Sequence, residues 1–84
     1  MTVLTFKNRL IALFGPKHYT RARLFYMQIF AAAYKADEMN ELEGLLDFLD
    51  DTASNPRIRI KSPESYFIHF TERDDLTDDN QQSI

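Results

Sequence analysis

Residues 57–70 read RIRIKSPESYFIHF, and the fold class turns on them. Basic and isoleucine side chains alternate over 57–61, the period of a half-buried strand. Residues 65–70, SYFIHF, are rich in the aromatic and β-branched side chains that suit a pleated sheet. Ser62-Pro63-Glu64 separates the two runs as a turn would. Pairing Lys61 with Ser65 sets Ile60 opposite Tyr66 and Ile58 opposite Ile68. One face then holds Ile58, Ile60, Tyr66, Ile68 and Phe70; the other holds Arg57, Arg59, Phe67 and His69. A slip of one residue would mix the two faces, so this register is favoured. The same tripeptide also resembles a helix start, with Ser62 as cap and Pro63 in the first position. The balance of composition favours a β-hairpin. An isolated hairpin is marginal, so its apolar face is expected to lie on helices.

Upstream of that stretch, Asp37 reads as the N-cap of a helix, with Glu38 and Glu41 near the positive end of its dipole. Met39, Leu42, Leu45, Leu46, Phe48 and Leu49 supply an apolar face, and Asn40, Glu43, Asp47, Asp50 and Asp51 lie opposite. Gly44 costs about 1 kcal/mol against Ala inside a helix, which suggests a close approach by a neighbour. Asp50 and Asp51 sit at the end where the dipole disfavours negative charge, so either fraying or a nearby cation is expected. Residues 52–56, TASNP, read as a loop.

Further upstream, residues 21–36, RARLFYMQIFAAAYKA, contain no Gly or Pro and predict a helix capped by Thr20. Only a narrow stripe of Arg21, Gln28 and Lys35 is polar, with Arg23 interrupting the remaining arc. A helix so widely apolar must be covered on more than one side. The chain's own elements are expected to cover most of it. The strip formed by Arg23, Tyr26, Phe30 and Tyr34 is where a second copy or another chain would make contact. A first helix, capped by Thr2 or Thr5, is expected to run to Phe14, where Gly15-Pro16 ends it. The reading is therefore α+β: three helices and a C-terminal β-hairpin in one domain over 1–71, followed by an acidic flexible tail over 72–84, ERDDLTDDNQQSI.

The chain has 84 residues, room for a single small domain, and its seven Phe supply large side chains for a core. It has no cysteine, which excludes disulfides and thiolate metal sites. The net charge of −3 conceals a segregation. Residues 1–36 carry Lys7, Arg9, Lys17, Arg21, Arg23 and Lys35 without one acidic residue, whereas 37–56 carry Asp37, Glu38, Glu41, Glu43, Asp47, Asp50 and Asp51 without one basic residue. Neither a secretory signal nor an organellar presequence fits the N-terminal residues, and no stretch is long and apolar enough to span a bilayer. A cytoplasmic location is the expectation.

Catalytic motifs are missing: there is no Gly-rich phosphate loop, no Gly-x-Ser-x-Gly and no His-Glu-x-x-His. His18 and His69 are far apart in sequence, and a metal site built from both is disfavoured. No cofactor and no enzymatic activity are expected. Three helices followed by a hairpin resembles the element order of a winged helix-turn-helix, without any shared motif. That resemblance would imply nucleic-acid binding with the third helix in the major groove. Here the third helix is acidic, and carboxylates cannot drive counterion release from phosphates. A nucleic acid would have to use the basic N-terminal helices or the hairpin's Arg57, Arg59 and Lys61. The leading expectation is a non-enzymatic protein–protein interaction module, an adaptor, inhibitor or regulator of another macromolecule. Its contact residues would be Arg57, Arg59, Phe67 and His69 on the hairpin, and Glu43, Asp47, Asp50 and Asp51 on the acidic helix.

Overall fold

Thr2 opens the first helix as its side chain allows: the Thr5 N–H donates to Thr2 Oγ1 at 3.1 Å. In the computed structural model, which describes residues 1–71, four α-helices follow: α1 (Val3–Phe14), α2 (Pro16–Arg21), α3 (Arg23–Lys35) and α4 (Met39–Ala53). A 3-10 helix over Pro63–Phe67 then runs into a helical turn over 68–71. The described residues contain no strand. The expected acidic tail over 72–84 lies outside them.

The hairpin expectation is therefore wrong, and burial explains why. Pro63 occupies the first helical position, where its missing N–H costs nothing. The Ser65 N–H and Oγ both donate to the Ser62 carbonyl, at 3.0 and 2.7 Å, closing the first turn. Phe67 and Phe70, three residues apart, then fall on one helical face and are buried. In the hairpin register Phe67 would face out and Ile58 and Ile68 would face in. The fold reverses this: Phe67 is fully buried, while Ile58 and Ile68 are exposed. Residues 58–62 form neither helix nor ladder.

The expected single helix over 21–36 also divides. Pro16 starts α2 directly after Gly15, so Thr20 is inside a helix and caps nothing. Gly15 takes φ 94°, a conformation open to glycine at little cost, and its N–H donates to Ile11 O at 2.8 Å. Ala22, at φ −104° and ψ 16°, is the bend between α2 and α3. The bend lets Tyr19 of α2 stack on Tyr26 of α3, with ring centroids 6.3 Å apart and planes 8° from parallel. Asp37 does not cap α4. It takes φ 59° just after Ala36, the residue that caps α3, and the Glu38 N–H reaches back to Ala33 O at 2.8 Å while the Asp37 N–H reaches Tyr34 O at 3.2 Å. Those two bonds are a Schellman closure, with Asp37 in the left-handed position that glycine more often fills.

The core draws on every element: Phe6 and Leu10 from α1, Tyr19 from α2, Tyr26, Ile29 and Ala33 from α3, Leu42, Leu46 and Leu49 from α4, and Phe67 and Phe70 beyond. Helix α1 lies against α2 and α4, and α3 against α2 and α4. Gly44 does not mark a close approach. It is exposed, and an added Cβ would meet no atom of another element within 4 Å. Gly44→Ala is accordingly expected to stabilise the fold by about 1 kcal/mol and raise Tm by about 4–8 °C in thermal unfolding. A lower Tm would mean that something does approach that face.

Candidate functional site

A cleft of about 350 Å³ opens where the end of α1, the start of α2 and the irregular segment after α4 meet. Helix α1 contributes Leu13 and Phe14, α2 contributes His18, and the segment contributes Ile58, Arg59 and Ile60; Ala53 and Pro63 close its ends. The sequence alone places these residues in three separate contexts. Only the Gly15-Pro16 corner, which turns α2 back beside the end of α1, brings Phe14 and His18 together, with ring centroids 5.4 Å apart.

His18 links the cleft to the core. Its Nε2 lies 2.7 Å from the Tyr26 hydroxyl. Burial pushes the Tyr26 phenol well above its ordinary value, and the nearby Glu64 carboxylate adds to the effect. The hydroxyl therefore stays protonated. With a neutral imidazole it can donate to Nε2, leaving the ring proton on Nδ1. A buried tyrosine needs such a partner, because an unsatisfied hydroxyl in the core would cost about 1–3 kcal/mol.

The acidic helix is already engaged. Arg9 Nη2 donates to Asp47 Oδ1 at 2.8 Å and to Asp50 Oδ2 at 2.6 Å, bridging α1 to α4. These bonds, Asp47 first, hold the guanidinium more firmly charged than usual. Arg9 is thus the cation near the end of α4 that Asp50 calls for. Glu43 faces the Met1 amino group at 3.6 Å, and Asp51 is exposed, its backbone carbonyl accepting from Ser54 Oγ at 2.8 Å.

The expected contact groups do not assemble as one face. Phe67 belongs to the core, its ring 5.3 Å from Tyr26 and 6.5 Å from Phe6, so it cannot present a surface. His69 is exposed on the last turn beside the Phe70 ring. Arg59 borders the cleft, and Arg57 is exposed next to it in sequence. Of the strip on α3, Tyr26 is fully buried and Phe30 is half-covered against Phe6 at 5.5 Å. Arg23 and Tyr34 remain exposed, Tyr34 at 72%. Of the residues lining the cleft, sequence reasoning singled out Arg59 alone as a contact; among those it missed are the apolar Leu13, Phe14, Ile58 and Ile60. Each reads as one more apolar position until the chain's path is known.

Among the described residues no group of three His, Asp or Glu side chains could hold a metal ion, and no helix is long and apolar enough to cross a membrane. The polar chemistry of the cleft therefore rests on one imidazole and one guanidinium.

Burial of the Tyr26 phenol makes stability depend on alkaline pH. Because the folded phenol sits above its ordinary value of 10.0, the contribution is complete below that pH and is lost progressively as pH rises from there toward the folded value. Urea unfolding should show stability falling above about pH 10 by up to about 1.4 kcal/mol per pH unit. In Tyr26→Phe the fall should be shallower, with about 1 kcal/mol already lost at neutral pH. The same alkaline fall in both proteins would contradict the assignment.

No family model, curated protein or solved structure matches the chain, so the site is read from its own chemistry.

Proposed function

We propose that this protein is a non-enzymatic interaction module that docks a partner protein at the cleft and the cationic segment 57–61 beside it. One observation carries the reading. Arg57, Arg59 and Lys61 are exposed and their cationic groups pair with no carboxylate among the described residues. Asp47 and Asp50 of the acidic helix are instead bonded to Arg9. Three cations that pair with no described carboxylate, next to a cleft lined by both apolar and polar side chains, have the composition of a docking surface for an acidic partner. Charge complementarity steers encounter, and the apolar wall supplies the burial that makes contact last. The acidic ridge of α4 is a weaker candidate, because a partner would have to compete with Arg9 for two of its carboxylates.

Nucleic acid remains the second reading, through the exposed Lys17 and Arg21 on α2 together with segment 57–61. The winged-helix route to it is gone, because residues 57–70 form no wing.

The test is capture from a native lysate by the full chain, comparing wild type with Arg57→Glu plus Arg59→Glu by quantitative mass spectrometry. Both side chains are exposed and pair with no described carboxylate, so the variant should keep its helical circular dichroism. Proteins retained by wild type and depleted at least fivefold by the variant are expected. Equal recovery from both, or salt-sensitive retention of nucleic acid without enriched protein, would contradict the proposal.

A further inference from the structure

We infer that the cleft takes a short segment of the partner in which one bulky apolar side chain sits between carboxylates. This rests on the interaction reading above and names the occupant of the same site.

The size of the cleft limits what can enter. At about 350 Å³ it lies at the low end of ligand-sized cavities, about 300–1,000 Å³. It admits a side chain or two and not a helix. Its walls ask for an apolar group: Leu13, Phe14, Ile58 and Ile60 line it, and Ile58 leaves 48% of its surface in water. Covering that isoleucine removes apolar area from solvent, which favours binding.

The charge pattern fixes the flanks. In residues 57–61 the order is Arg57-Ile58-Arg59-Ile60-Lys61, so each isoleucine has a cation on either side. Consecutive cations are two residues apart, a reach of at most about 7 Å along the chain. An extended segment bearing acidic, apolar and acidic side chains carries the complementary pattern on the same spacing. Opposing charge among the described residues is limited. Glu64 is half-buried and acts on Tyr26 in the core, and Asp51, near the end of α4, is exposed. Among the described residues the three cations of this segment outnumber these two carboxylates. His18 adds a neutral donor at the wall when Tyr26 satisfies its Nε2. A nucleic-acid strand would satisfy the cations through its phosphates but would leave the aliphatic walls without an apolar partner, which disfavours it as the occupant.

The probe is a synthetic peptide, acetyl-Gly-Asp-Asp-Leu-Asp-Asp-Gly-amide, titrated into the ¹⁵N-labelled full chain. Two controls accompany it, one with Ser in place of Leu and one with Lys in place of every Asp. The acidic leucine peptide is expected to shift the amides of Leu13, Phe14, His18, Ile58 and Ile60 saturably. Both controls should bind at least tenfold more weakly, and Arg59→Glu should weaken the leucine peptide at least tenfold while keeping a folded spectrum. No saturable shifts, equal binding by the serine peptide, or stronger shifts of these amides by a single-stranded oligonucleotide would overturn the inference. If the peptide is silent while lysate capture still depends on Arg57 and Arg59, the interaction reading stands and only this occupant is discarded.

Discussion

The edge-on contacts of Phe67 with Tyr26 and Phe6 hold this small structure closed. Ring centroids lie 5.3 and 6.5 Å apart with planes at 86° and 79°, the arrangement in which the positive edge of one ring meets the negative face of another. Phe6 belongs to α1, Tyr26 to α3, and Phe67 to the last helical segment, so one cluster joins the two ends of the described chain. A chain of this size without cysteine has no covalent staple. Its stability must come from such a core. Burying Tyr26 also brings a hydroxyl into that core, and His18 meets the resulting need. In doing so it sets an imidazole in the wall of the cleft. The site is therefore a consequence of how the core satisfies the Tyr26 phenol.

Electrostatics divide the surface in a related way. Residues 1–71 carry nine Lys and Arg against eight Asp and Glu, and 72–84 carry one against five. The net negative charge of the chain therefore belongs to its last residues, and the described portion is close to neutral. Within that portion Arg9 bonds to two carboxylates of α4, while the cations of 57–61 face solvent. An exposed pair of this kind contributes little to stability, roughly 0–1 kcal/mol. Its importance is that it ties α1 to α4 through Asp47 and Asp50.

Much of this was legible in the sequence, and what was not has identifiable causes. Thr2 as a cap, Gly15 as a stop and the apolar positions Leu42, Leu46 and Leu49 of α4 follow from local chemistry and periodicity. The segment 63–70 is ambiguous in sequence because Tyr66, Phe67, Ile68 and Phe70 suit either a strand or a helix. Only the position of the core decides that Phe67 and Phe70 face inward together. Pro63 was the local signal that favoured a helix. Ala22 gives no warning of the bend between α2 and α3, since alanine is the best helix former; the bend accompanies the stacking of Tyr19 on Tyr26. Asp37 resembles an N-cap in sequence, and its left-handed role closing α3 is set by the backbone path. The cleft could not be read at all, because Phe14, His18 and Ile58 meet only after α2 has turned back and α4 has ended.

The central claim is that residues 63–70 are helical and seat Phe67 on Tyr26. Nuclear Overhauser spectroscopy of the full chain tests it most directly. The account predicts i to i+3 contacts along 63–70 together with contacts from the Phe67 ring to the Tyr26 and Phe6 rings. Cross-strand contacts between Ile60 and Tyr66 and between Ile58 and Ile68, with the Phe67 ring in solvent, would contradict it.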